Sequence, residues 1–419
     1  MAYVIIFGDT NFPIGSDGSY GRNETGTDII VRDTSSDEYY TIPTCCSDNY
    51  MTVWYGNGVY NDDIINALLG TDIDFRNINE GEFVSSVDIS HYNIYASYNG
   101  TCYVASFGAR NANAITLIPH MFEDIPLSSI SLPCNITEIP DYMFCNSSLR
   151  WINIPSTVVT IGNNAFDDCN MLEDVKFNGN NLDTIDEKAF AGCNALPSIV
   201  IPNSVTSIGG SGFSYCTSLT SCTLSNNLET IEDSLFMNCQ SLETINIPNS
   251  VTSIGDSAFT NCISLTSVTI GNGVESIGDY AFYDCTDLLD VTIPDNVTAM
   301  GDATFSGCTS LSSVTIGDGV TSMSSPSIFE DCTSLESVDF GSNIISLGGS
   351  GLLSGCTALT DIYLRYTGGV VNTSQYLIDR NIASGVTLHV PSSLENDYKN
   401  SMLWTQVAGF DANNIVGDL

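Results

Sequence analysis

The sequence predicts a solenoid of stacked coils, preceded by a small β-rich domain and closed by a C-terminal cap. Three observations predict this fold class. A phenylalanine recurs about every 23 residues through most of the chain, a short stretch of alternating apolar residues follows it, and turn-forming dipeptides separate the coils. Self-similarity at a fixed period is typical of a repeat architecture, in which each unit packs on its neighbours.

Eleven repeats align on one apolar position, which advances in steps of 22 to 24 residues. The central coils follow the pattern V-x-x-I-G-x-x-x-F-x-x-C-x-x-L-x-x-V-x-I. Because leucine-rich repeats have periods of about 20–29 residues, we predict a leucine-rich-repeat solenoid. The aligned positions are Phe122, Phe144, Phe166, Phe190, Phe213, Phe236, Phe259, Phe282, Phe305, Phe329 and Leu353.

Each repeat is predicted to contain two extended edges and one tight turn. In L-x-x-V-x-I, residues such as Leu265, Val268 and Ile270 end in the alternation of a short strand. A turn signal such as Asn272-Gly273 follows. The stretch V-x-x-I-G-x-x-x-F then predicts a second edge and a short helical or 3₁₀ turn. Stacking places the first strands about 4.8 Å apart, in a parallel sheet along one flank.

The repeat resembles the BspA-like family of leucine-rich repeats. The segments IPNSVTSIGGSGFSYCTSL at 201–219 and IPNSVTSIGDSAFTNCISL at 247–265 carry nearly every position of that family's consensus. The resemblance covers residues 115–365, and VTLHVPSSLENDYKNSMLW at 386–404 looks like the strand-plus-helix cap that ends such arrays. It implies a surface-exposed, non-enzymatic protein that acts in adhesion and protein binding.

Three domains are predicted from where the repeat begins and ends. Residues 1–110 contain no copy of the repeat and carry short β-like runs separated by turn signals, with one helix predicted over 62–70. We interpret 1–110 as a β-rich docking domain, 111–365 as the solenoid and 366–419 as its cap.

Charge and hydropathy exclude two classes of partner. The chain has 49 acidic and 10 basic residues, a formal net charge of −39. Lys and Arg are absent between Lys188 and Arg365. Since nucleic acids and anionic lipids are bound largely through basic residues, neither is an expected partner. No apolar run approaches the ~18 residues of a membrane span, so membrane insertion is not expected.

The first residues bear on where the protein acts. MAYVIIFGDTNF has neither a basic start nor an apolar run of roughly 7–15 residues, so a secretory signal is not expected. A virion protein reaches a surface without such a signal. We therefore favour a virion surface over the cytoplasm, with the N-terminal domain docked onto an assembly partner and oligomerisation possible.

One cysteine recurs at the same point of nine consecutive repeats. A zinc site needs converging ligands, commonly C-x₂₋₄-C pairs with His, and this spacing is absent. A disulfide between adjacent coils is a second alternative, but parallel side chains rarely reach its dihedral angle. We favour packing, since a buried Cys fills a small apolar space. This structural core column is Cys169, Cys193, Cys216, Cys239, Cys262, Cys285, Cys308, Cys332 and Cys356.

The solvent-facing side of the first strands is the predicted binding surface for a protein or glycan ligand. Small hydroxyl residues recur there, and cross-strand pairing within the sheet is reason enough for many of them. Tyr363 and Arg365 are candidate anchors. The predicted binding residues are Thr223, Asn246, Ser267, Thr269, Asp290, Thr292, Thr315, Asp339, Tyr363 and Arg365.

Catalysis is not predicted. The histidines His91, His120 and His389 are scattered, and the nucleophile, phosphate-loop and zinc-protease motifs are missing from the sequence. We expect no enzyme activity, cofactor or metal. The main alternative function is an intracellular protein–protein interaction scaffold. A more distant one is a calcium-dependent or glycan-cleaving enzyme, with Asp72 and Asp74 among the acidic candidates for calcium.

Overall fold

A computed structural model of the chain describes the repeats almost throughout. The described residues are seven strands before residue 107, residues 119–120, 122–124, 127–132, 136–374 and 377–419. Two compact units emerge, residues 1–182 and residues 183–419. The predicted domain boundaries at 110/111 and 365/366 stay predictions. The predicted helix over 62–70 and the calcium candidates Asp72 and Asp74 lie outside the described residues.

The first unit begins with antiparallel strands. β1, β2 and β3 pair in that order, and a five-stranded sheet has the order β5-β4-β7-β6-β8. Antiparallel pairing distinguishes this region from the parallel coils that follow. The strands are β1 Tyr20–Arg22, β2 Asp28–Arg32, β3 Tyr39–Pro43, β4 Met51–Val53, β5 Val84–Val87, β6 Asn93–Tyr98, β7 Thr101–Ser106 and β8 Leu127–Ser131.

The parallel coils of the first unit alternate a longer strand with a two-residue strand. β10 pairs with β12, and β9 pairs with β11, each in parallel register. Because the coils have similar lengths, equivalent positions of successive repeats lie side by side on neighbouring strands, as the repeat predicts. These strands are β9 Glu138–Ile139, β10 Trp151–Ile154, β11 Thr160–Ile161 and β12 Asp174–Phe177.

A ten-stranded sheet dominates the second unit, and its described pairs are all parallel. The predicted leucine-rich-repeat solenoid is therefore confirmed, and β30 and β31 add two strands to the sheet beyond the eleven predicted repeats. The strands are β14 Ser198–Val200, β16 Ser221–Thr223, β18 Thr244–Asn246, β20 Ser267–Thr269, β22 Asp290–Ile293, β24 Ser313–Ile316, β26 Ser337–Phe340, β28 Asp361–Leu364, β30 Thr387–Val390 and β31 Ile415–Gly417.

The second extended edge of each coil is a two-residue strand. These strands pair in parallel in three groups: β13 with β15, β17 through β23, and β25 through β29. They are β13 Thr184–Ile185, β15 Ser207–Ile208, β17 Thr230–Ile231, β19 Ser253–Ile254, β21 Ser276–Ile277, β23 Ala299–Met300, β25 Ser322–Met323, β27 Ser346–Leu347 and β29 Asn372–Thr373.

Buried phenylalanine rings form the centre of the core. In the second unit they stack from Phe190 to Phe329 with centroid separations of 5.0–5.7 Å and interplanar angles of at most 10°. Phe259 is fully buried between Phe236 and Phe282. The rings inside this stack therefore touch the rings of both neighbouring coils.

Around each phenylalanine, the predicted helical turn takes the form of successive tight turns. The N–H of Cys262 donates to the carbonyl of Phe259 at 3.1 Å, an i→i+3 bond. Ser257 and Asn261 have positive φ angles of 57° and 61°. Their N–H groups, and that of Phe259, donate to carbonyls of the next coil at 2.7–2.8 Å. N–H groups at alternate positions therefore link coil to coil where a regular helix would not.

The glycine of the I-G step is required by close stacking. A Cβ on Gly255 would lie 2.5 Å from Oδ1 of Asp233 in the preceding coil, closer than packed atoms approach. That carboxylate accepts a 2.8 Å hydrogen bond from the N–H of Asp256. A side chain at Gly255 would displace this bond.

The last 54 residues of the chain end the parallel sheet with short helices around an aromatic core. Nε1 of the buried Trp404 donates to the carbonyl of Val371 at 2.8 Å, and the N–H of Val371 donates to the hydroxyl of Tyr398 at 3.0 Å. Among the described residues, no helix has the length and apolar character to span a membrane. The helices are α1 Arg380–Ala383, a 3₁₀ helix Ser392–Leu394, α2 Glu395–Lys399, a π-helix Leu403–Ala408 and a 3₁₀ helix Ala412–Asn414.

Removing one ring from the stack should destabilise the solenoid. We expect Phe259→Ala to lower the free energy of unfolding by about 3–5 kcal/mol, because it removes a fully buried aromatic side chain and leaves a cavity. Urea unfolding followed by circular dichroism measures the change. The exposed Thr269→Ala is the control, with an expected effect within about 0.5 kcal/mol. Equal effects of the two substitutions would contradict the role of the stack.

Candidate functional site

The nine column cysteines are buried in the solenoid. The thiol of Cys262 donates to the carbonyl of Phe236, which lies in the preceding coil, at 3.2 Å. That carbonyl oxygen also accepts a hydrogen bond from the N–H of Cys239. The thiol of Cys262 therefore donates to the second lone pair of the oxygen. The same bond, at 3.0–3.2 Å, is made by Cys169, Cys216, Cys239, Cys285, Cys308, Cys332 and Cys356.

Burial keeps seven of these thiols protonated. It raises the pKa of Cys169, Cys262 and Cys356 to about 12 each. The thiolate is the form that attacks electrophiles and binds metals, and at neutral pH it is negligible here. Within the described part of the chain, no group of three His, Cys, Asp or Glu residues is placed to hold a metal ion.

The predicted binding residues lie on the solvent side of the ten-stranded sheet. Along β20, Ser267 and Thr269 are exposed while Val268 between them is buried. We call these outward positions the sheet face. The predicted residues Thr223, Asn246, Asp290, Thr292, Thr315 and Arg365 are also exposed, and Asp339 and Tyr363 are half-buried.

Parallel register brings these residues into rows across the sheet. Thr292 lies opposite Thr315, Thr315 opposite Asp339, and Asp339 opposite Tyr363. Tyr363 in turn lies opposite His389 on β30. The row thus changes from hydroxyl side chains on β22 and β24 to charged and aromatic ones on β26, β28 and β30.

At that end of the sheet face, six side chains form one connected group, which we call the aromatic–ion cluster. The guanidinium of Arg365 donates two hydrogen bonds to the carboxylate of Asp339. Nε lies 2.8 Å from Oδ1, and a terminal nitrogen lies 2.7 Å from Oδ2. The guanidinium carbon is 5.9 Å from the ring centroid of Tyr363. The cluster comprises Asp339, Asp361, Tyr363, Arg365, His389 and Asp418.

His389 joins the two halves of the cluster. Its ring stacks on Tyr363 with centroids 4.3 Å apart and planes 13° apart. Nε2 lies 2.8 Å from Asp361 and Nδ1 lies 2.9 Å from Asp418. Both nitrogens face carboxylates, which only accept hydrogen bonds, so the doubly protonated imidazolium satisfies both contacts. Burial lowers the pKa of His389, but the hydrogen bonds to Asp361 and Asp418 outweigh it and raise the pKa overall.

The arrangement suits recognition. Ion pairing and ring stacking restrict the rotamers of Tyr363, Arg365 and His389, so less side-chain entropy is lost when a partner binds. Tyr and Arg are also enriched among residues that dominate binding energy. The binding residues predicted from the sequence do not include His389 or Asp418. The alignment of LHV at 388–390 with IYL at 362–364 was the signal that places His389 beside Tyr363.

The repeat region matches a known family model. The model of the BspA type leucine-rich repeat region, present in six copies, matches residues 115–243, 229–360 and 275–396, more than half of the chain. This chain belongs to that family. Its leucine-rich-repeat solenoid fits a protein-binding or adhesion role, since such solenoids are typically non-enzymatic recognition proteins.

Several solved structures are similar to the chain. A leucine-rich repeat protein from Bacteroides ovatus is 24% identical, with 73% of this chain and 88% of that chain covered and a TM-score of 0.44. The pneumococcal vaccine antigen PcpA is 20% identical, with 68% of this chain and 72% of that chain covered and a TM-score of 0.41. A leucine-rich cell surface protein from Faecalibacterium prausnitzii is 26% identical, with 66% of this chain and 93% of that chain covered and a TM-score of 0.31. Comparison with curated proteins gives no match.

Native thiol reactivity should follow burial. With an aromatic disulfide reagent at neutral pH, we expect the nine column cysteines to react only after unfolding, because burial denies the reagent access in the folded chain. Mass spectrometry of the labelled peptides assigns each cysteine. The half-buried Cys145 is the internal comparison. Labelling of Cys262 in the native chain before any unfolding would contradict the packing interpretation.

The imidazolium contacts predict a pH-dependent stability. Because the folded pKa of His389 is raised, its contribution is fully present below the unfolded pKa of about 6.5 and is lost as the pH rises through the folded pKa. The pKa of Asp361 is lowered, chiefly by the hydrogen bond from His389. Its contribution is therefore present above about pH 4 and is lost as the pH falls through the folded pKa.

We therefore expect His389→Gln to reduce the urea midpoint more at about pH 6 than at about pH 9. His120→Gln, which removes an exposed histidine bonded to Glu123, controls for general histidine effects. An equal reduction by His389→Gln at both values would show that His389 is uncharged in the folded chain.

Proposed function

We propose that this protein is a non-enzymatic recognition or adhesion protein that binds a protein or glycan through the sheet face. The observation that carries the proposal is the aromatic–ion cluster beside rows of exposed hydroxyls. A rigid surface of Tyr, Arg and His next to small polar residues combines anchor side chains with a surface that is easily desolvated.

The charge of the array favours neutral or cationic ligand surfaces. Eighteen acidic residues and no basic ones lie between Lys188 and Arg365. An anionic partner approaching this stretch would be repelled, whereas a basic protein surface would be steered toward it. Within the cluster, Arg365 and His389 are each bonded to carboxylates, so they do not reverse the sign of the surface.

The region before the repeats is the candidate for attachment. Residues 1–110 lie outside the repeat, and their described strands pair with one another in antiparallel fashion. We propose that this region docks onto a larger assembly, such as the surface of a virus particle, and leaves the array free to bind. Immunogold labelling of purified particles from the native source tests this. Recovery of the protein only in soluble cell extract would favour an intracellular protein–protein interaction scaffold instead.

Ligand binding should depend on the cluster. We expect the full chain to bind members of a protein and glycan array, and Tyr363→Ala with Arg365→Ala to weaken the strongest binding by about tenfold or more. Tyr280→Ala, which removes an exposed tyrosine from the turn before Phe282, is the matched control. Equal binding by the cluster variant and the control would exclude the cluster as the anchor.

A further inference from the structure

The repeats permit an internal comparison that singles out one exposed residue of the first unit. Trp151 opens β10 and is 45% exposed. The other coils form the same strand without an aromatic residue there, so folding does not require one at this position. The corresponding residues are Asp174, Ser198, Ser221, Thr244, Ser267, Asp290, Ser313, Ser337 and Asp361.

The surroundings of Trp151 also depart from the other coils. Register places Asp174 opposite Trp151, and Lys176 opposite Asn153. Lys176 lies 3.2 Å from Asp174, and Arg150, directly before the tryptophan, contacts Glu173 at 2.6 Å. One ion pair therefore begins at the residue before Trp151, and the other includes the residue opposite it on β12.

This patch is electrically balanced in a strongly acidic chain. Its two cations are each paired with a carboxylate, so it presents no excess charge of either sign. An anionic ligand is opposed by the net charge of −39. A cationic peptide finds no unpaired carboxylate among Glu173 and Asp174. What remains is a flat apolar ring beside charged groups that can both donate and accept hydrogen bonds.

A neutral saccharide matches that chemistry. The C–H face of a sugar ring packs on an aromatic face, which supplies apolar contact at little cost in side-chain entropy. Its hydroxyls both donate and accept, and hydrogen bonds to charged groups are the stronger kind. We propose that Trp151, with Arg150, Asn153, Asp174 and Lys176, forms a binding site for a neutral oligosaccharide. This site is separate from the aromatic–ion cluster and does not depend on its function.

The chain itself supplies the matched substitution. Trp151→Ser introduces the residue that five other coils carry at this position, so the strand is expected to form. Trp151→Phe keeps an aromatic ring. Val200→Ser removes an exposed apolar side chain from β14 and controls for general loss of apolar surface. Circular dichroism and the urea midpoint establish that each full-length variant is folded.

Binding is measured by calorimetry with neutral oligosaccharides of glucose, mannose, xylose and N-acetylglucosamine. We expect at least one to bind the native chain, Trp151→Ser to weaken it by about tenfold or more, and Trp151→Phe by only about threefold. Val200→Ser should bind as the native chain does. The fluorescence difference between the native chain and Trp151→Ser isolates the indole and should shift to shorter wavelength with sugar.

Three results would overturn the proposal. The first is that none of these sugars binds at millimolar concentration. The second is that sugar binding is equal in the native chain and in Trp151→Ser. The third is that acrylamide fails to quench the fluorescence assigned to Trp151 in the ligand-free chain, which would mean that other residues of the chain, or a peptide partner, cover the indole.

Discussion

In-register stacking of nearly identical coils is the constraint on which the rest of this structure depends. One coil cannot bury its own apolar side, and Phe259 is buried only because rings from both neighbouring coils cover it. The backbone enforces the same spacing, since N–H groups at alternate turn residues donate to the next coil. The coil that ends at Phe329 has one extra residue, yet its ring still stacks on Phe305, so coil length varies only where these contacts are kept.

The column cysteines follow from that spacing. A thiol at the position of Cys262 reaches the carbonyl of Phe236 in the preceding coil while filling a small apolar space. Serine has a shorter bond and a more costly hydroxyl to bury, and alanine leaves the second lone pair of the carbonyl unused. The repeated thiol is therefore a packing and hydrogen-bonding element. The pKa of about 12 at Cys262 is a consequence of the same burial.

Because inward residues make the contacts between stacked coils, the outward residues can vary at little cost in stability. Most outward positions of the ten-stranded sheet hold Ser, Thr or Asn, which suit a parallel sheet without any ligand. Two places differ. The aromatic–ion cluster occupies the last long strands of the second unit, and Trp151 occupies the first position of β10 in the first unit. In a repeat protein, such departures can be recognised by comparing the chain with itself.

The sequence by itself determined the period, the inward phenylalanines and cysteines, and the outward positions of the strands, because each depends on spacing within one repeat. It therefore predicted the solenoid and the family. Tertiary structure alone decided which outward residues act together. His389 meets Asp361 and Asp418, 28 and 29 residues away in sequence, because the register of β28, β30 and β31 and the side-chain rotamers bring the three groups to one place. No local sequence pattern predicts these contacts of His389, since they depend on the lengths of the intervening coils.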